Sequence, residues 1–303
     1  MNNNEGRARR LLVIYNPTAG SRARRRLAGW IACLERLGAA VSLRETTAPR
    51  HAEELARTAD PASVDAVVAA GGDGTINEAV NGLAGSPLPL GILPLGTANV
   101  LAGEIGLPRQ AMALARILAF APARPVWPGE AMGDGAGVGR RFLIMAGIGF
   151  DADVVEALDL PLKRRLGKLA YVVSIMGRLR DYRRRSYRSE IDGVAVESAS
   201  LVAAKAHFYG GRFMLAPAAR LDDPAFQVVL FGRAGRAAAL GYMAAMAAGV
   251  LQRCPSVRIV PAREVRLIEP PGAAVQLDGD VHIRLPVTLR IAATPLQLIQ
   301  PGA

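Results

Sequence analysis

Cysteine is almost missing from this chain of 303 residues: Cys33 and Cys254 stand far apart in sequence, each in apolar surroundings. Two such thiols build no disulfide framework and suit a reducing compartment. Histidine is equally scarce, and His51, His207 and His282 lack the spacing of zinc ligands, which excludes a structural zinc site. Aromatic residues make up 5% of the chain although 51% is hydrophobic, so Ala, Val and Leu must fill the core. No apolar run is long enough to span a bilayer comfortably. The longest, Ala237–Leu251, is Ala-rich and flanked by Arg233, Arg236 and Arg253. The polar start Met1–Arg10 leads into Leu11-Leu12-Val13-Ile14-Tyr15, too short for a secretory signal. Two families of phosphate site are absent as well: no G-x-x-x-x-G-K-[ST] loop occurs, and neither H-R-D nor D-F-G is present. These absences predict a cytoplasmic protein of one or two domains.

What is abundant is positive charge, formally +11. Part of that excess is the Arg bias of a GC-rich genome. The remainder favours an anionic partner, such as ATP, nucleic acid or an acidic membrane surface. One stretch says where an anion would sit. Gly71-Gly72-Asp73-Gly74-Thr75 follows the apolar run Ala66–Ala70 and precedes Ile76-Asn77-Glu78-Ala79, which reads as a helix start. Strand, glycine turn and helix bring bare N–H groups and a helix N-terminus up to a phosphate. Three glycines in four residues remove the Cβ atoms that would hold phosphate oxygens away. A carboxylate repels phosphate, so Asp73 is read as holding Mg²⁺ or taking the proton of an attacking hydroxyl. The bland alternative is an ordinary tight turn. A second glycine pattern, Gly147-Ile148-Gly149-Phe150-Asp151-Ala152, fits G-x-G-x-x-A but has no acidic partner on a following strand, so a dinucleotide fold is not expected there.

The first 125 residues alternate strand-like and helix-like segments: strands Leu11–Tyr15, Val41–Thr46, Ala66–Ala70 and Leu90–Pro94, with helices through Arg36 and over Pro49–Asp60. That pattern predicts an α/β nucleotide-binding domain with a doubly wound parallel sheet, whose ligands sit at the carboxyl ends of strands. Asn16–Ser21, Gly71–Thr75 and Leu95–Asn99 all fall at those ends. After about residue 125 the texture becomes that of an antiparallel sheet domain, over 126–288, with β segments that include Arg141–Gly147, Ala199–Ala206, Ala225–Phe231 and Ala274–Leu277. Helices are expected at Ala152–Ala157, Leu166–Tyr182 and Ala237–Leu251, the last as core or as the lining of an acyl-chain cleft.

Asn16-Pro17-Thr18-Ala19-Gly20, Gly71–Glu78 and Leu93-Pro94-Leu95-Gly96-Thr97-Ala98-Asn99 together resemble the diacylglycerol kinase catalytic domain family, which includes bacterial soluble lipid kinases, sphingosine kinases and ceramide kinases. The likeness continues in order through Gly147–Ala152, Leu166–Tyr171, Ala216–Ala219 and Leu277–Asp280. It thus covers nearly the whole chain, although the glycine pentapeptide alone is shared with NAD kinases and phosphofructokinases. It implies an α/β nucleotide domain over 1–125, a β-sandwich domain, and a C-terminal tail, 289–303, that returns to the first domain. It also implies an ATP- and Mg²⁺-dependent lipid kinase. By the resemblance Asn16, Pro17, Thr18, Ala19, Gly20, Thr46, Gly71, Gly72, Asp73, Gly74, Thr75, Ile76, Asn77 and Thr97 contact ATP. Arg220, Asp223 and Ala225 match the family's second-domain Mg²⁺ ligands, the first and last through main-chain oxygens. Asp278-Gly279-Asp280 matches the triplet that supplies the catalytic base, so Asp73, Asp278 and Asp280 are the catalytic candidates. Three positions depart from the pattern. Pro224 replaces a glycine and removes an N–H, Val100 replaces a frequent aspartate, and Asp280 stands where glutamate is common.

Between Pro161 and Glu190 ten Lys/Arg face two acids, interleaved with Leu162, Leu166, Leu169, Val172, Ile175 and Met176. Such a basic amphipathic segment can lie on an anionic leaflet, each cation contributing about 1 kcal/mol. The alternative is a solvated helix face packed on the sandwich. The segment lacks interleaved exposed aromatics and any reader motif, so nucleic acid is not the expected partner. The expected partners are therefore a lipid substrate and an anionic membrane surface, with a homodimer left open. Two other functions stay open: an NAD-kinase-like enzyme, and a nucleotide-sensing membrane-surface module that has lost turnover.

Overall fold

The computed structural model describes residues 7–19, 21–133, 139–156, 186–211 and 213–302. The chain divides into two compact units, 1–126 with 294–303, and 127–293.

The first unit is built on β1 (Arg10–Tyr15), β2 (Ala40–Glu45), β3 (Ala66–Gly71), β4 (Leu90–Pro94) and β5 (Ala123–Val126), with α1 (Ser21–Arg36), α2 (His51–Arg57), α3 (Asp73–Gly82), α4 (Val100–Glu104) and α5 (Ala111–Phe120) between them. β2, β1, β3 and β4 run parallel in that order. β3 is buried at every residue, which is why it reads as an unbroken apolar run, whereas the edge strand β2 is mostly exposed. α1 buries Ala23, Leu27, Trp30 and Leu34, spaced at helical intervals. Its arginines Arg22, Arg24, Arg25 and Arg26 lie outward, and the Arg26 guanidinium stands 4.8 Å from the Trp30 ring centre.

The second unit is a pair of six-stranded antiparallel sheets. One orders β10-β9-β16-β19-β6-β7 and holds β6 (Gly129–Gly133), β7 (Arg140–Phe142), β9 (Tyr187–Ile191), β10 (Val194–Ser198), β16 (Glu264–Glu269) and β19 (Val287–Ile291). The other orders β15-β14-β11-β8-β17-β18 and holds β8 (Met145–Ile148), β11 (Ser200–Ala204), β14 (Phe226–Phe231), β15 (Val257–Ala262), β17 (Ala274–Leu277) and β18 (Asp280–Arg284). Among the described residues the unit also holds a hairpin of β12 (Phe208–Tyr209) and β13 (Phe213–Met214) and the helices α6 (Phe150–Glu156) and α7 (Arg236–Ala247). Phe142 of one sheet stacks on Phe226 of the other at 5.9 Å, inside a core drawn from both.

The tail returns to the first unit, as the fold class requires. β20 (Leu296–Ile299) lies between β4 and β5, parallel to the former and antiparallel to the latter. Leu289 belongs to β19 in the second unit, and the chain crosses over only after residue 293. α7 fully buries Ala239 alone, with Leu240 half exposed, so this helix is not core. The helix expected over Leu166–Tyr182 and most of the basic segment 161–190 lie outside the described residues. Among the described residues no helix is long and apolar enough to cross a membrane.

Candidate active site

In the first unit three loops meet at the carboxyl ends of β1, β3 and β4. Asn16 extends β1 by donating its N–H to the Ala70 carbonyl at 3.1 Å. Its Oδ1 accepts from the Thr18 N–H (3.0 Å) and hydroxyl (2.7 Å), an Asx turn that shapes the turn Pro17–Ala19. Its Nδ2 donates to Thr75 Oγ1 at 3.2 Å, tying the β1 loop to the glycine turn. Gly71 can only be glycine: a Cβ there would stand 2.4 Å from Thr75 Oγ1. The Leu95 and Gly96 N–H groups both donate to the Gly71 carbonyl, at 2.9 and 3.2 Å, and a Cβ on Gly96 would fall 2.5 Å from Gly72 Cα. The two glycine loops are therefore in backbone contact.

α3 starts at Asp73, and its first intrahelical bond is Ile76 N–H to the Gly72 carbonyl. The amides of Asp73, Gly74 and Thr75 precede that bond and form the helix's positive end. Gly74 and Thr97 are exposed there, whereas Thr46, Thr75, Ile76 and Asn77 are buried. Thr46 closes the β2 end by donating its N–H to the Tyr15 carbonyl. Gly20 lies outside the described residues.

The Asp73 carboxyl faces the start of α4. Burial pushes its pKa up, and the amides of Leu101, Val100 and Asn99 pull the other way. Its Oδ1 is buried and accepts no hydrogen bond among the described residues, and the same holds for Asn99 Oδ1. Asn99 adopts a left-handed φ of 48° and donates Nδ2 to the Gly96 carbonyl at 2.7 Å. Two orphaned acceptor oxygens on adjoining loops suit a hard cation carried in on phosphate oxygens. Among the described residues no three His, Cys, Asp or Glu side chains gather to hold a metal unaided.

In the second unit the Asp278-Gly279-Asp280 turn separates its two acids. Asp278 has φ 51°, and its carboxylate accepts from the N–H groups of Leu143, Ile144 and Met145 at 2.8 to 3.0 Å. Its lone pairs are committed to the β7–β8 corner. Asp280 opens β18, half-buried, and its carboxylate makes no hydrogen bond among the described residues. Behind the turn the Gly279 N–H donates to Gln276 Oε1 at 2.8 Å, Gln276 Nε2 donates to Asp151 Oδ2 at 2.7 Å, and the Tyr209 hydroxyl donates to Asp151 Oδ1. Burial pushes the Asp151 carboxyl up, with Tyr209 and Gln276 opposing.

The main-chain oxygens of Arg220, Asp223 and Ala225 converge, on an ammonium. Lys205 Nζ donates to all three, at 3.0 Å for Arg220 and Ala225. A Mg²⁺ ion does not fit beside it. Sequence motifs missed Lys205, though a lone lysine closing the apolar run Ser200–Ala204 was the available signal. They also missed Asn99 Oδ1, whose placement beside the glycine loops depends on a left-handed residue.

Residues 10–131 match the family described as "Diacylglycerol kinase catalytic domain", and residues 144–300 match "YegS C-terminal NAD kinase beta sandwich-like domain". A diacylglycerol kinase of Bacillus subtilis (strain 168) is 33% identical over 237 residues, 76% of each chain. A diacylglycerol kinase of Mycobacterium tuberculosis (strain H37Rv) is 28% identical over 297 residues, covering 96% of this chain and 95% of its own. A crystal structure from Bacillus anthracis str. Sterne, described as a candidate diacylglycerol kinase, superposes with a TM-score of 0.77 at 20% identity over 100% of this chain and 98% of the other.

Proposed function

The chain belongs to the diacylglycerol kinase family, and on that basis we propose that it is a lipid kinase moving the γ-phosphoryl group of ATP to a hydroxyl of a diacylglycerol-like or sphingoid/ceramide-like membrane lipid. The observation that carries the nucleotide half is the contact between the Gly71–Gly72 and Gly96 loops, which sets bare amides beside two orphaned acceptor oxygens. Phosphoryl transfer asks a protein mainly for alignment and charge neutralisation. The first-turn amides of α3, with Asn16, Thr18 and Thr97, are the groups that would align the phosphates. Asp73 Oδ1 and Asn99 Oδ1 are the oxygens that would hold Mg²⁺, which when bound screens phosphate charge. Asp280 is assigned as the acceptor of the lipid hydroxyl proton, because its carboxylate is untethered while that of Asp278 is held by three amides. Asp278 is assigned to holding the turn.

The lipid half is supported by composition and by one surface. The net charge of +11 and the basic segment 161–190 suit an anionic leaflet, and Phe213 and Leu240 of the second unit leave large apolar side chains about half exposed. Peripheral membrane contact is thereby proposed, with activity on vesicles expected to rise with anionic lipid and fall with salt. An activity indifferent to both would remove the membrane from this account.

The direct test is incubation with labelled ATP, Mg²⁺ and a mixed-lipid extract, followed by chromatography of the products. A labelled lipid is expected, and labelled NADP with NAD as the acceptor would replace the lipid reading by an NAD-kinase-like one. Asp73→Asn and Asp280→Asn are each expected to abolish labelling while leaving the melting temperature close to that of the unaltered protein. Near-normal rates in both variants would defeat the assignment of metal ligand and base.

A further inference from the structure

Lys205 directly follows β11 and is fully buried, with a relative exposure of 0%. A lysine so placed is rare, because removing an ammonium from water is costly unless its protons are taken up. Here they are. An ammonium has three N–H donors, and three main-chain carbonyls receive them: Arg220, Asp223 and Ala225. The side chains of the same loop complete the charge pattern. Asp222 and Asp223 favour the charged lysine electrostatically, while the Arg220 guanidinium is turned away into a two-pronged pair with Asp222 at 2.8 and 2.9 Å. Burial draws the Lys205 pKa down to about 8, which leaves the group a cation at neutral pH.

We propose that Lys205 is a built-in cation: its ammonium takes the place of a divalent ion among the main-chain oxygens of Arg220, Asp223 and Ala225, and holds their loop against β11 and β14 without metal. Mg²⁺ and Lys205 cannot both be there. Mg²⁺ needs about six oxygens at about 2.0–2.1 Å, whereas these carbonyls surround a nitrogen at hydrogen-bonding distance and would place a dication against an ammonium. Pro224 belongs to the same arrangement. It carries no N–H, so the loop has no amide donor at that position to satisfy. The loop 220–225 leads directly into β14, which pairs with β11 from Ala204↔Gln227 onward, so the lysine closes a clasp between the two strands at one end. Any requirement of the enzyme for a divalent ion then falls on the nucleotide site of the first unit.

The test is thermal unfolding of nucleotide-free, full-length protein in EDTA and in millimolar Mg²⁺ or Ca²⁺. The unaltered chain is expected to melt at the same temperature in all three. Lys205→Met, which fills the space but strands three carbonyls, is expected to lower the melting temperature in EDTA by about 5 °C or more, with no recovery on adding metal. Lys205→Ala removes the ammonium and opens the cage, and Mg²⁺ or Ca²⁺ is expected to restore a good part of its loss. If neither variant folds, an unaltered chain indifferent to chelator still supports the proposal. A native melting temperature that falls in EDTA and returns with Mg²⁺ overturns it. So does a Lys205→Ala protein that is undisturbed, or whose loss no divalent ion reverses. The readout is stability alone, so the result is independent of whether the chain phosphorylates a lipid.

Discussion

At Gly96 the added methyl of an alanine would stand 2.5 Å from Gly72 Cα and 2.8 Å from Asn99 Oδ1, with backbone on one side and a fixed side chain on the other. Neither neighbour is the far end of a flexible chain, so the loops must separate. Gly96→Ala is expected to destabilise the first unit by about 1–3 kcal/mol and to abolish nucleotide binding. Unfolding in urea and a fluorescent ATP analogue would measure the two effects. Gly103, where an added Cβ meets nothing within 4 Å, is the control that should tolerate the same change. The glycine motifs were legible in the sequence because each reports a local backbone demand. The tether of Asp278 was not, since its amide partners lie 133 to 135 residues away.

Elements show the same division between near and far. The apolar run Arg141–Gly147 reads as one β segment, yet it is two strands, β7 and β8, in different sheets. The break falls at Leu143-Ile144, whose amides bond the Asp278 carboxylate instead of a ladder partner. Periodicity cannot reveal a corner made by a distant acid. The β1–β3 pair has a device of its own at its opening end. Asp65 accepts from the Arg10 N–H at 2.7 Å and from its guanidinium at 2.8 and 3.2 Å, and that partner holds its carboxyl below the ordinary carboxylate range. A carboxyl depressed in the folded state adds stability above its unfolded value, and that stability is lost as pH falls through the folded value. Stability of the first unit should therefore decline below about pH 4, and Asp65→Asn should flatten that part of the curve. A pH series of denaturation midpoints that runs parallel in both proteins would contradict this.

Over the whole molecule, the last strand is a structural necessity for the first unit. β20 lies inside the sheet, between β4 and β5, and buries Leu296, Leu298 and Ile299. Deleting residues 294–303 would leave β4 and β5 facing each other across a missing strand, with apolar surface open to water. The truncated protein is expected to lose the first unit, read as loss of nucleotide binding and of helical circular dichroism. Retention of both would mean that β20 is dispensable. The likeness to the diacylglycerol kinase family pointed to this return, which no local pattern in Leu296–Ile299 announces.

The sequence by itself pointed to the class of chemistry: strand–glycine–helix turns and a surplus of positive charge indicate a phosphate site, and the ordered motifs carry the resemblance to lipid kinases, since each signal is borne by neighbouring residues. Tertiary structure alone decided which acid of Asp278-Gly279-Asp280 is tied down, and what cation the Arg220, Asp223 and Ala225 oxygens receive. Both depend on groups brought together across long stretches of chain, where burial makes an unpartnered amide, carbonyl or ammonium too costly to leave unmatched.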